Sequence, residues 1–461
     1  MPNTQHFDAI LVGAGQAGPA LAARLTQAGW SVAFVERKLF GGTCVNTGCT
    51  PTKAMVASAH AAHLARRAAD FGVRIGAQVQ VDIAAVIARR EAIVAASRNG
   101  VEESLRDNPK VTLFRGTASF ESPTTMRVGE HLLEAPHIFL NVGCRASVPE
   151  IPGVHDVPYL TNTSLLALDV LPRHLVILGG SYIGIEFAQI YRRFGCEVTL
   201  VEKGPRLMAH EDEDISACVL SILEGEGIRV CLNAECLSLA PDAAGIHVGT
   251  SCTLGAPPVV GSHLLLAVGR TPNTHDLGLE RAGIATDQHG YIQSDDQLRT
   301  TAKGVYALGD CNGQGAFTHT AYNDFEIVAA NLLDNDPRRV SDRIRCYAMY
   351  MDPPLARIGM TEAEVRASGK PALIATRPMS RVSRAIEKGE TLGFMKVLVD
   401  ADTRCILGAA LLGVGCDEAV HCLLDTMYAR APFTTVERAV HIHPTVAELI
   451  PTLLADLKPL N

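Results

Sequence analysis

The sequence predicts an α/β fold: two Rossmann-like units, each a parallel sheet with helices packed on it, followed by a C-terminal α+β unit. Two observations predict it. A nearly continuous apolar strand, Phe7-Asp8-Ala9-Ile10-Leu11-Val12, runs straight into Gly13-Ala14-Gly15-Gln16-Ala17-Gly18. An Ala/Leu-rich helical stretch from Pro19 to Ala28 follows, then a strand from Ser31 to Val35 that ends at Glu36. The same order returns as Leu175-Val176-Ile177-Leu178, Gly179-Gly180-Ser181-Tyr182-Ile183-Gly184, a helix to Phe194, and a strand from Glu197 to Val201 ending at Glu202. Gly179 lies 166 residues after Gly13 and Glu202 lies 166 residues after Glu36, so both units share one internal register.

Each position in this pattern has a physical task. Gly13 makes the tight turn, Gly15 lets backbone approach a pyrophosphate, Gly18 packs helix on strand, and Glu36 can accept hydrogen bonds from ribose hydroxyls. Gly179, Gly180, Gly184 and Glu202 repeat the arrangement, with Ser181 at the middle glycine position, small enough for the same close approach. Both units therefore predict dinucleotide sites.

Between them lies Gly41-Gly42-Thr43-Cys44-Val45-Asn46-Thr47-Gly48-Cys49-Thr50-Pro51-Thr52-Lys53, read as a curved segment opening into a helix at Cys49. A helix start favours a thiolate, so a cysteine there is a better nucleophile than one in a core. Gly48 and Asn46 are expected to supply the unusual backbone angles that bring the sulfurs together. Taken alone, two cysteines at this spacing fit a redox pair, half of a metal site or two buried thiols.

Composition excludes other classes. The 461 residues are 47% hydrophobic and 20% charged, with net charge −8 and no long basic run, which argues against a nucleic-acid partner. Apolar runs such as Leu264 to Val268 fall short of the about 20 residues needed to cross a bilayer. The polar lead Met1 to His6 predicts no signal peptide, and a cytoplasmic protein is expected. The 13 cysteines are scattered, so most are expected to be buried free thiols.

Further along, 54–69 and 83–105 read as helices, and 111–141 as a small antiparallel sheet. Pro149, Pro152 and Gly153 mark a crossover. Leu266 to Asn273 leaves the second unit, and Gly304 to Asp310 is a strand ending in Gly309-Asp310. From 341 onward, strands such as Gly393 to Val399 and Ile406 to Leu412 alternate with helices. The expected division is 1–148 with 271–340, then 149–270, then 341–461.

The ordered combination of fingerprint, Cys44-x4-Cys49, second fingerprint, Gly269-Arg270-x-Pro272-Asn273, Gly309-Asp310 and His443-Pro444-Thr445-x-x-Glu448 resembles the flavin-dependent pyridine nucleotide disulfide oxidoreductases. That group includes glutathione reductase, dihydrolipoamide dehydrogenase and mercuric reductase, and the resemblance spans nearly the whole chain. It implies FAD in the first unit, held by Gly13, Gly15, Gly18, Glu36, Gly42, Thr43, Gly143 and Asp310. It implies a nicotinamide cofactor at Gly179, Gly180, Ser181, Gly184 and Glu202, with Gly269 and Arg270 also assigned to cofactor binding. Hydride would pass from nicotinamide to flavin and on to a Cys44–Cys49 disulfide, with Cys49 against the flavin and Cys44 attacking substrate. Lys53, one helical turn beyond Cys49, would stabilise negative charge on the reduced ring. Glu186 matches its partner, and Tyr182 the residue that covers the flavin until nicotinamide arrives. The C-terminal unit would form a homodimer in which His443, oriented by Glu448, serves the other subunit as acid/base. No resident metal is expected.

For substrate, the resemblance leaves a small disulfide or thiol first and a soft metal ion second. The wording around Cys44 resembles mercuric reductase, but the chain has no vicinal cysteines, none after Cys422, and a histidine at 443. Ala23 stands where glutathione reductase has a substrate arginine, and Thr47, Thr50 and Thr52 depart from dihydrolipoamide dehydrogenase. A flavoprotein subunit or redox sensor without turnover would not need the whole set of Cys44, Cys49, Lys53, Glu186, His443 and Glu448. Glu202 favours NADH over NADPH, against which Lys203 and Arg206 stand nearby.

Overall fold

The architecture comes from a computed structural model that describes residues 4–252 and 259–460; the lead residues Met1 to Asn3 and the terminal Asn461 lie outside them. Its first sheet is five-stranded and wholly parallel, in the order 305–307, 137–140, 9–12, 32–36, 111–115. The inner strands are buried along their whole length, as their apolar runs require of a sheet covered on both faces. A second five-stranded parallel sheet has the order 159–160, 263–266, 174–178, 197–201, 229–231. Its central strand His174–Leu178 feeds the helix Tyr182–Phe194, as Ala9–Val12 feeds Ala17–Gln27.

The repeat holds at the level of single atoms. Val12 pairs with Val35 and Leu178 with Val201 at the ends of the central strands. A Cβ on Gly13 would lie 2.2 Å from the Asn141 carbonyl oxygen, and one on Gly179 would lie 2.4 Å from that of Ala267. Both glycines have positive φ, +103° and +110°, so only glycine makes these turns without strain.

Residues 111–141 correct the expected antiparallel sheet. Val111–Arg115 and His137–Leu140 belong to the first parallel sheet, and only Ala118–Ser122, Thr125–Val128 and His131–Glu134 form antiparallel pairs. The alternation in 111–115 is that of an edge strand with one face exposed, a pattern that does not distinguish parallel from antiparallel pairing. The strand Thr4–His6 completes the smaller sheet by pairing parallel to His131–Glu134.

The C-terminal part is a six-stranded antiparallel sheet in the order 346–349, 355–359, 406–412, 394–400, 372–378, 458–459, with helices such as Leu449–Ala455 on it. Its edge shares a core with the second unit: Met349, Met351, Leu355 and Leu412 pack with Ile185, Leu200 and Leu207, and with Met55 and Ala59 from the helix Cys49–Arg66. The helix that starts at Cys49 is thus wedged between the second unit and the C-terminal sheet. No helix among the described residues is long and apolar enough to cross a membrane.

Candidate functional site

The cysteine segment is two helices rather than one curve. Gly42–Thr47 forms a short helix carrying Cys44, the chain breaks at Gly48, and Cys49 opens the helix Cys49–Arg66. The left-handed residues are Gly41 and Gly42, at φ +92° and +60°, while Gly48 sits at φ −138° and Asn46 is helical. Gly48 is required for space instead: a Cβ there would lie 2.8 Å from the Thr43 carbonyl oxygen. Gly42 packs on the first fingerprint so closely that a Cβ would come within 2.7 Å of the Gly15 Cα. Asn46 fastens the loop, its Nδ2 donating to the carbonyls of Phe40 and Gly42 at 2.8 and 3.0 Å.

Cys44 and Cys49 are free thiols in this structure and half-buried. The pair divides its protons unequally. The hydrogen bond from Cys44 lowers the Cys49 thiol to about 6; burial opposes this, and Thr318 and Lys53 assist it. The same bond, reinforced by burial, pushes the Cys44 thiol well up. Above about pH 6 the dithiol therefore carries its negative charge on Cys49 and its proton on Cys44.

Thr318, the first residue of the helix Thr318–Ala329, places its hydroxyl 3.1 Å from the Cys49 sulfur. Sequence reading missed this residue; the threonine-rich start of a helical pattern soon after Gly309-Asp310 was its only signal. Lys53 meets Glu186 at 2.8 and 3.0 Å, and Glu186 also accepts the Tyr350 backbone N–H at 2.8 Å. The Lys53 ammonium lies 5.0 Å from the centre of the Tyr350 ring. Tyr182 opens the next helix and packs against Phe317 and Tyr347.

The two acids at the ends of the second strands are held identically. Glu36 accepts from the Ala14 and Lys38 backbone N–H groups at 2.8 and 2.7 Å, and Glu202 from those of Gly180 and Gly204, both at 2.7 Å. Each carboxylate oxygen keeps a lone pair for a further donor, which suits ribose hydroxyls. Gly18 and Gly184 let helix meet turn: a Cβ would lie 2.4 Å from the Gly13 oxygen or 2.0 Å from the Gly179 oxygen. Ser181 precedes the helix Tyr182–Phe194 in an extended conformation, and its side chain makes no capping hydrogen bond.

Asp310, Arg270 and Gly143 gather at the same carboxyl end of the first parallel sheet as the fingerprint and Glu36. Arg270 reaches Asp310 at 3.5 Å and donates to the Cys144 carbonyl at 2.8 Å, while Gly269, at φ +134°, gives its carbonyl to the Ser147 N–H. Burial pushes the Asp310 carboxyl up, and the buried Arg270 Nε and Asn46 Oδ1 have no partner among the described residues. Beside Gly143, at φ +63°, the space a Cβ would enter is open. The half-buried Asp310 carboxylate, the orphaned polar atoms and the open glycine leave room and polar groups that fit a polyol-bearing dinucleotide.

His443 lies on the surface. Its Nδ1 lies 2.9 and 3.1 Å from the Glu448 carboxylate oxygens, and the side chain is 73% exposed. Among the described residues, Glu448 is the one partner found for its ring, and no group of three or more His, Cys, Asp or Glu side chains is placed to hold a metal ion.

Residues 7–324 match the family described as pyridine nucleotide-disulphide oxidoreductase, and residues 346–454 match that family's dimerisation domain. The chain belongs to this family. It is 35% identical over 460 residues to the probable pyridine nucleotide-disulfide oxidoreductase RclA of Escherichia coli, covering 98% of this chain and 99% of the relative. It is 32% identical to the mercuric reductase of Streptomyces lividans over 96% of this chain and 94% of that one. The dihydrolipoyl dehydrogenase 2 of Haloarcula marismortui is 33% identical, over 97% and 96% of the two chains. The solved Cu(II) complex of the HOCl-induced flavoprotein disulfide reductase RclA superposes with a TM-score of 0.90 at 34% identity, over 98% and 99% of the chains. The protein is accordingly a flavin- and pyridine-nucleotide-dependent oxidoreductase acting on sulfur, and its dimerisation domain points to a homodimer.

The unequal proton sharing gives a direct expectation. In the dithiol protein, thiolate absorbance should rise around pH 6 and vanish in Cys49→Ser. Cys44→Ser, with a hydroxyl as the weaker donor, should move that rise to higher pH. A rise unchanged in Cys49→Ser would assign the low-pKa thiol to the wrong sulfur.

Proposed function

We propose that the protein passes two electrons from NADH to a small disulfide through Cys44 and Cys49. The observation that carries this is the Cys49 thiolate, set beside Thr318 at the start of a helix whose next turn presents Lys53 locked on Glu186. In this reading 1–148 with 271–340 bind FAD through Gly13, Gly15, Gly18, Glu36, Gly42, Thr43, Gly143 and Asp310. Residues 149–270 bind the nicotinamide cofactor through Gly179, Gly180, Ser181, Gly184 and Glu202, and 341–461 form the dimer interface. Arg270 lies with Asp310 and serves the flavin side. When bound, the flavin supplies the relay that turns a hydride from nicotinamide into two electrons for the disulfide.

The chain's own groups then do the following. Lys53 offers positive charge toward the flavin, and Tyr182 occupies the nicotinamide's place until it arrives. Because the Cys44 thiol is held well above neutrality, a base must take its proton before it attacks, and His443 of the partner subunit, oriented by Glu448, does so. The Cys44 thiolate forms a mixed disulfide with one substrate sulfur. The departing thiolate takes the proton back from His443. The Cys49 thiolate next attacks the Cys44 sulfur, closing the Cys44–Cys49 disulfide and releasing the second thiolate, which is protonated from solvent. One disulfide is reduced and one dithiol oxidised. A chain of 13 cysteines that works by thiol exchange suits a reducing compartment, and a cytoplasmic location goes with this reading.

His443→Ala is expected to slow disulfide turnover by roughly two to four orders of magnitude, the usual share of general acid/base catalysis. Flavin bleaching by NADH in rapid mixing should survive. The relatives named mercuric reductase and the Cu(II)-complexed relative make Hg(II) and Cu(II) the competing acceptors to assay. Metal-dependent NADH oxidation that ignores His443, with no disulfide reduced by wild type, would overturn the disulfide assignment.

Cofactor choice rests on Glu202, whose carboxylate would repel a 2′-phosphate. Arg206 is engaged elsewhere, with Glu213 at 3.1 Å and the Ala209 carbonyl at 3.1 Å. NADH should have the higher kcat/KM, and Glu202→Ala should narrow the gap; a higher value for NADPH in wild type would contradict the reading.

A further inference from the structure

Tyr182 rests on an aromatic floor. Its ring centroid is 6.1 Å from that of Phe317 and 5.5 Å from that of Tyr347, and those two rings are parallel, 5.3 Å apart with 7° between planes. Phe317 immediately precedes Thr318, so the floor for Tyr182 and the hydroxyl on the Cys49 sulfur belong to one helix start.

The floor is fixed by a buried polar anchor. The Tyr347 hydroxyl donates to Glu211 Oε1 at 2.5 Å. Glu211 is 2% exposed, and the fully buried Arg357 gives it two hydrogen bonds, at 3.0 and 2.5 Å, and a third to Asp212 at 2.9 Å. Lys396, 1% exposed, closes the cluster on Asp212 at 3.0 Å, Asp214 at 2.8 Å and Glu362 at 3.1 Å. Glu211 to Asp214 lead into the helix Glu213–Gly225 of the second unit, whereas Arg357 and Lys396 stand on strands of the C-terminal sheet. The ring on which Tyr182 rests is thus tied to the seam between these two parts.

We propose that Tyr347 is a positioning residue for nicotinamide entry: held by Glu211, it retains the Tyr182 ring at rest and so sets how readily Tyr182 yields. The inference rests on the reading of Tyr182 as the ring in the nicotinamide's place. Binding then competes with the Tyr182 resting contact, and apparent affinity is reduced by the fraction of molecules in which the ring has moved away. Loosening the floor raises that fraction and tightens nicotinamide binding without touching the reacting atoms.

The test uses the FAD-loaded protein. In Tyr347→Phe, which keeps the ring and loses the hydroxyl's hydrogen bonds to Glu211 and to the Tyr182 side chain, the NAD+ dissociation constant by calorimetry should fall about three- to tenfold. The NADH concentration giving half-maximal flavin bleaching should fall by the same factor, with the limiting rate within about twofold. Glu211→Gln, which keeps an acceptor for Arg357 but weakens the hydroxyl's bond, should shift binding in the same direction. In a Tyr182→Ala background Tyr347→Phe should add nothing, because Tyr347 acts through Tyr182. A shift in Tyr182→Ala with none in Tyr347→Phe overturns the proposal and leaves the Tyr182 reading standing. An undiminished Tyr347→Phe effect in the Tyr182→Ala background also overturns it. Unchanged binding in Tyr182→Ala itself removes the reading of that ring and the proposal with it.

Discussion

One carboxylate joins the three parts of this chain. Glu186, on the helix that opens with Tyr182, takes two hydrogen bonds from Lys53 on the cysteine helix and one from the Tyr350 backbone in the C-terminal part. Its side chain is only 7% exposed, so it is tolerable in the folded protein only while those donors stay in place. The Lys53 side chain is 35% exposed, so losing it costs less than the about 3–5 kcal/mol of a fully buried pair, but it still strands the buried carboxylate. That penalty fixes the azimuth of the helix Cys49–Arg66. With it are fixed the position of Lys53, one turn inside, and of Cys49, at the helix start beside Thr318.

The proposed chemistry depends on this rigidity because it gives the two sulfurs different tasks. Cys49 is stabilised as thiolate by a donor thiol, a hydroxyl and an ammonium, all on fixed elements. Cys44 lies in a separate short helix that leans on the first fingerprint through Gly42 and Gly15. Its raised pKa makes it a poor nucleophile alone and ties its activity to an outside base. His443 has the complementary character: it is exposed, with its Nδ1 face already committed to Glu448. A ring oriented from behind and open in front suits a residue that completes a site on another subunit.

The parts legible in the sequence are those imposed by short-range sterics. Gly13 and Gly179 are forced by carbonyl oxygens within 2.4 Å of any added Cβ, so the same pattern had to appear twice at the same spacing. The acids Glu36 and Glu202 are fixed by amides one strand away and two residues on. Lys53 with Glu186 and His443 with Glu448 were readable only because the ordered motifs resemble a family. What stayed hidden depends on distant chain segments. Strand direction in 111–141 is set by partners at 9–12 and 32–36, which periodicity does not reveal. Thr318 reaches Cys49 across 269 residues, and Tyr347 reaches Glu211 across 136. Gly48 is needed because a Cβ there would meet the Thr43 carbonyl, a contact that exists only once 42–47 has coiled into a helix and so leaves no local mark.

The central claim is that Cys49 is the cofactor-facing thiolate and Cys44 the exchanging thiol. The most direct test is the absorption spectrum of the FAD-loaded protein during titration with one equivalent of reductant. An electron-rich sulfur next to the electron-poor oxidised ring should produce a long-wavelength band in wild type. Cys44→Ser should show that band without reductant, and Cys49→Ser should not show it at all. A band that persists in Cys49→Ser and is missing from Cys44→Ser would reverse the two sulfurs and contradict the account.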